Sequence, residues 1–240
     1  MAAAGRTTAD PPSHQGCAIS SVRLGLPAQR GELRDRREDG HHLHHLVWRL
    51  GPGVRVCSSA VLGGGIGPRA WILNAQVPGG YPRLDPDRHL AEIAAAEGLT
   101  GPGAGLMTAA DVAAYTTARD GGVTATVTAG LGVRGWAAAP DGDRAPSFRP
   151  GTVNIVVILP AALSDAALVN AVATATEAKV QALLDAGLDC SGTPTDAVCV
   201  AAPEPGPDGG EPFAGPRSTW GARIARAVHT AVLAGARPAG

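Results

Sequence analysis

Three stretches of the 240-residue chain carry side chains that could do chemistry. The first, Ser191-Gly192-Thr193-Pro194-Thr195-Asp196, puts hydroxyls and a carboxylate at the entrance to a strand. Such residues serve turn geometry through bonds to their own backbone. They could equally present a threonine nucleophile or a carboxylate base. The second is a helix over 164–186 that repeats Asn170, Thr174, Glu177 and Gln181 at i, i+4, i+7 and i+11. These form a polar stripe apart from the apolar side of Leu168, Val172, Ala175, Lys179 and Leu183. The third is Leu62-Gly63-Gly64-Gly65-Ile66-Gly67. A strand, not a helix, follows it, and no P-loop Lys or Ser/Thr is present, so it is a poor phosphate cradle. It suits a flat backbone wall against a bulky ligand, or a plain turn between strands.

Other chemistries find less support. No GxSxG elbow occurs, and no histidine can be set against Ser58-Ser59 from sequence alone. His89 and His229, the histidines of the folded part, read as helix-surface residues. Cys57 and Cys199 fall in strands and read as small core residues. The four cysteines have no CxxC spacing and suggest reduced thiols. His41, His42, His44 and His45 are near no carboxylate at ligand spacing beyond Asp39, so no metal is expected.

Composition removes whole classes. A net charge of −1 and 3% aromatics leave no footprint for sequence-independent nucleic-acid binding. No apolar run reaches the ~18 residues of a membrane span. The N-terminal stretch lacks the apolar region of a secretory leader, so a cytoplasmic protein is expected. Alanine supplies 46 residues, and 19 of the 20 basic residues are arginine, Lys179 being the exception. The core must be built from Ala, Val, Leu and Ile.

The elements that must hold these groups follow from periodicity. Residues 1–44 lack it and read as a mobile low-complexity tail, with the folded domain over 45–236. Strands at 46–50 and 54–57 around Gly51-Pro52-Gly53 read as a hairpin. A strand follows at 71–77, with Asn74 and Gln76 on one face. Asp85-Pro86 opens a helix to about Glu97. Thr108 and Asp111 have capping-box-like spacing before a second, short helix to about Ala118. Residues 122–128 alternate, with Thr124, Thr126 and Thr128 on one face. The most apolar strand, 152–159, reads as central in its sheet. Ser164 caps the long helix, a strand runs over 195–202, and a last helix over 218–234. This order implies an α/β (α+β) fold: one layered domain with mixed β-sheets and packed helices.

Five motifs then occur in order. They are Leu62–Gly67 with Leu73-Asn74, Gly105–Val112, Pro150–Ile155, Thr174–Lys179 and Gly192–Asp196. On these, the chain resembles the adenosylcobinamide amidohydrolase (CbiZ) family over roughly residues 46–234. One departure stands out: the family's His-Thr pair after the late Ala-Gly is replaced here by Pro216-Arg217-Ser218-Thr219. The resemblance implies hydrolysis of the aminopropanol amide of adenosylcobinamide to adenosylcobyric acid, in corrinoid salvage or remodelling. The corrinoid is then substrate, and no cofactor is implied. Partners reduce to that small molecule, without nucleic acid or membrane span, as a monomer or a homo-oligomer. Glu177 and Asp196 become the acid–base carboxylates, Thr193 the nucleophile unless water attacks directly, and Lys179 a charge stabiliser. A buried lysine can lose its proton at working pH, which arginine cannot. Gly63, Gly64, Gly65, Asn74, Thr108, Asn154 and Thr174 become contacts for a ring rimmed with neutral amides. A corrinoid-binding protein without catalysis and a hydrolase that cleaves itself before a threonine are the alternatives.

Overall fold

The structure, a computed structural model, describes residues 30–140 and 151–237. Ten strands and three helices lie within them. In chain order these are β1 Glu32–Glu38, β2 His41–Arg49, β3 Val54–Ser58, β4 Gly65–Pro68, β5 Trp71–Gln76, α1 Pro86–Ala96, β6 Gly103–Thr108, β7 Thr116–Asp120, β8 Val123–Leu131, β9 Gly151–Ile158, α2 Asp165–Asp185, β10 Ala197–Pro203 and α3 Thr219–Ala236. They build two mixed sheets, β1-β2-β5-β6 and β4-β3-β10-β9-β8-β7.

Strand alternation stacks these sheets in four layers. On β5, Trp71, Leu73 and Ala75 pack with Leu90, Ile93 and Ala94 of α1. Ile72 faces the other way, with Leu46, Trp48 and Leu106, onto Val56, Val156, Ile158 and Cys199 of the second sheet. The far face of that sheet, Val153, Ile155, Val157, Val198 and Val200, packs on Leu168, Ala175 and Leu183 of α2 and Ile224 and Val228 of α3. Fully buried Ala167, Ala171 and Ala175 on α2 and Ala231 on α3 let the helices approach closely, which gives the alanine excess a packing role inside the domain. The expected α/β class with mixed sheets and packed helices is the one seen, and β9 is an interior strand of its sheet.

Three expectations fail. The hairpin over 46–57 does not exist: β2 pairs with β1 and β5, while β3 pairs with β10 and β4. Gly51 and Gly53, at φ 77° and 71°, carry the chain across from one sheet to the other. The tail expected through residue 44 contains β1 and the start of β2, paired in register from Glu32↔Val47 to Glu38↔His41. Its part over 1–29 lies outside the described residues. The second helix is a single 3-10 turn, Val112–Ala114. Asp111 does cap it, accepting from Ala113 N, but Tyr115 turns extended to enter β7.

The strand before that turn, β6, was hidden by its glycines. A Cβ on Gly103 would sit inside the Trp71 indole, and one on Gly105 would lie 3.2 Å from Leu62 and Leu90. These glycines serve close packing of a strand and do not mark a loop.

Candidate active site

The carboxyl ends of β5 and β6 and the amino ends of β9 and β10 meet along one edge of the sheet pair. Gly130 of β8 shows the closeness: a Cβ there would lie 3.0 Å from Ala110 and 3.4 Å from the Thr152 backbone. Most of the polar residues singled out by sequence collect at this edge.

Asp196 is its hub. Oδ1 accepts from Val153 N at 2.7 Å and from Thr193 Oγ1 at 2.5 Å. Oδ2 accepts from Thr193 N at 3.1 Å and from Lys179 Nζ at 2.5 Å. The side chains of Lys179 and Asp196 are only 8% and 10% exposed, so this ion pair is largely desolvated. Thr193 Oγ1 also lies 2.9 Å from Gly151 O, a second acceptor for its single proton. Local sequence explains the hub. Gly192 has φ 148°, and a Cβ there would stand 2.5 Å from Lys179 Nζ and collide with Asp196. Glycine lets the loop wrap the ion pair closely.

On the opposite face of β9, the two sheets are tied by amides. Asn154 Nδ2 donates to Asn74 Oδ1 at 2.8 Å and to Met107 O at 3.1 Å. Asn74 Nδ2 donates to Thr128 Oγ1 at 3.0 Å. Asn154 Oδ1 is buried and has no hydrogen-bond partner among the described residues. Thr108 Oγ1, also buried, accepts from Ala110 N and shapes the adjoining turn.

Other expected residues are placed elsewhere. Glu177 is exposed on α2. Two residues from Lys179 means about 200° around the helix, so it points away from the hub. Thr174 is buried and donates to Ala214 O at 2.8 Å, tying α2 to the loop before α3. Gly63, Gly64 and Gly65 lie by the start of β6. Gly63 O accepts from Arg69 Nε and Nη2, and a Cβ on Gly63 would strike Gly103 O. Gly65 pairs with Ser58, itself paired with Cys199, and a Cβ on Gly64 would lie 2.6 Å from Ala60 O, so this wall sits across β3 from the amino end of β10, outside the hydrogen-bonded hub.

Sequence reasoning missed the convergence of Val153 N and Gly151 O on Thr193 and Asp196, because backbone groups leave no signature in residue types. It also took His89 for a surface residue. His89 is buried, with Nε2 2.7 Å from Glu38 and Nδ1 2.8 Å from the Tyr81 hydroxyl. Ser58 and Ser59 are not poised as nucleophiles; their Oγ atoms accept from Ala60 N and Val198 N. Burial pushes the Cys199 thiol up to about 12, far from a reactive thiolate.

No group of three or more metal-ligating side chains occurs among the described residues, and no helix there is long and apolar enough to cross a membrane. A carboxylate that holds both a hydroxyl and an ammonium has chemistry suited to attack on a neutral carbonyl. The class this suggests is an amidohydrolase.

The particular family is shown by comparison. The chain belongs to the adenosylcobinamide amidohydrolase (CbiZ) family, whose model matches residues 29–239. A Methanosarcina mazei protein named adenosylcobinamide amidohydrolase is 34% identical over 186 residues, 74% of this chain and 88% of that protein. A Halobacterium salinarum protein of the same name is 46% identical over 95 residues, 40% of this chain and 38% of that protein.

Proposed function

We propose that this chain hydrolyses the amide joining the aminopropanol arm to the corrin ring of adenosylcobinamide, releasing adenosylcobyric acid for corrinoid salvage or remodelling. Family membership supports the reaction. The observation that carries it to specific atoms is the contact of Thr193 Oγ1 with Asp196 Oδ1, itself held against Lys179.

In this reading Asp196 draws the proton from the attacking hydroxyl, either Thr193 itself or a water beside it. If water attacks, the carbonyl carbon gains its oxygen, the C–N bond breaks, and the amine leaves with the proton that Asp196 took; if Thr193 attacks, the same cleavage leaves an ester on Thr193, which a water then hydrolyses to the acid, returning the proton to Thr193. Lys179 Nζ is the cation nearest the developing oxyanion. Glu177, held apart from the hub, does not take part in this proton transfer. We take the reaction to be cytoplasmic, a reading that the free thiols of Cys57, Cys190 and Cys199 support.

A second reading, corrinoid binding without turnover, is favoured by Pro216–Thr219 standing where the family motif carries histidine. Purified protein incubated with adenosylcobinamide, with products followed by mass spectrometry, separates the two. Adenosylcobyric acid should appear, and Asp196→Asn should slow its formation by about 10²-fold or more. Tight binding without product would establish the second reading instead.

A further inference from the structure

We infer that Trp136 is the platform on which the flat face of the corrin ring rests, and so a substrate-specificity residue of this site. This rests on the proposed reaction and deepens it.

The inference starts from an exposed indole. The chain has four tryptophans. Trp48 and Trp71 are 1% and 6% exposed, and Trp220 is partly covered, with the Arg223 guanidinium 4.6 Å from its ring centre. Trp136 is 45% exposed. It is the one exposed tryptophan of the four, and indoles are enriched where a protein surface meets a partner.

Its position supplies the second argument. Trp136 follows Gly135, and Gly135 is docked on the segment that carries the hub. Gly135 N donates to Gly192 O and Ser191 N to Gly135 O, both at 3.0 Å. Ala137 N donates to Ser191 Oγ at 2.7 Å, and Ser191 Oγ donates to Gly135 O at 3.2 Å. Gly192 is the residue whose missing Cβ leaves room for Lys179 and Asp196. The bridge between the two glycines therefore ties the turn that carries Trp136 to the segment that carries Thr193 and Asp196. A turn closed by Ala139 N donating to Trp136 O fixes the indole's base. Its neighbours Ala137, Ala138 and Ala139 are small and exposed, so nothing bulky on this turn competes for the ring's apolar face.

Size fits as well. A corrinoid whose arm reaches Thr193 has its macrocycle a few ångströms beyond that hydroxyl, and the Trp136 turn is bonded to the same segment through Gly192 and Ser191. An indole there offers apolar area and a π face to a disc rimmed with neutral amides.

The test is steady-state hydrolysis of adenosylcobinamide by wild type, Trp136→Ala and Trp136→Phe, with each fold checked by circular dichroism. Trp136→Ala should raise KM about tenfold while kcat stays within about twofold. Trp136→Phe should recover most of the loss. Wild-type KM in Trp136→Ala, with wild-type turnover present, overturns this inference alone. A fall in kcat with unchanged KM would overturn it too, since that is the mark of a loop that shapes Thr193 and Asp196. Absence of turnover by the wild type removes the proposed function, and this inference with it.

Discussion

At the residue scale, the Lys179–Asp196 pair is unequal. Asp196 has four donors, of which Lys179 is one. Removing the carboxylate leaves a buried ammonium, whereas removing the ammonium leaves a carboxylate still held by three donors. Asp196→Ala should therefore cost about 3–5 kcal/mol, and Lys179→Met well under half of that, as measured by urea denaturation. Equal losses would mean that Lys179, not the backbone and Thr193, carries the pair. Both residues were visible in the sequence: the carboxylate beside hydroxyls, and the single lysine among arginines. Their contact was not, because 17 residues and a helix end separate them.

At the element scale, α1 is clamped to β1 and β2 by two pairs of opposite sense. His89 on the helix meets Glu38 on β1, and His45 on β2 meets Glu97 at the helix end at 2.9 Å. Burial holds the His45 pKa below 6.5, only partly offset by Glu97, with Arg36 and Arg34 adding to the depression. The unfolded chain, near 6.5, therefore takes up this proton first. Stability from neutral His45 is whole above about pH 6.5 and declines as pH falls towards the folded value. Thermal midpoints should drop between pH 7 and 5.5, and His45→Gln should flatten that slope. An unchanged slope in the variant would place the titration elsewhere. Asp85, which Arg83 holds down at about 2, titrates well below this window. Helices were the legible elements: Ser164 and Ser218 cap α2 and α3 as their positions suggest, accepting from Ala167 N and Gly221 N. Asp85-Pro86 opens α1, though the Asp85 carboxylate turns to Arg83 and caps nothing. Strand β6 was missed and the 3-10 turn misread because glycine and a capping residue look alike whether they serve a loop, a helix or a packed strand.

At the scale of the molecule, β1 belongs to the domain. Arg36 donates to Gln76 O, and Glu38 holds His89. A chain begun at residue 45, the boundary that periodicity suggests, would lose β1, bare the β2 edge and leave His89 without its carboxylate. It should express poorly or melt well below the full chain by scanning calorimetry. Matching midpoints would mean that β1 is an appendage.

The amino-acid sequence by itself determined the class of fold, the three helices, the interior strand β9 and the family motifs, since each depends on local periodicity or on residue types close in the chain. The tertiary structure alone decided which sheet each strand joins. It sent β2 and β3 apart, brought Asn74 to Asn154 across the layers, turned Glu177 away from Lys179 and docked Gly135, the neighbour of Trp136, on Gly192. The physical reason is that pairing between strands and packing between layers are settled by shape and burial among residues distant in the chain. Such partners leave only weak marks on the order of residues along it.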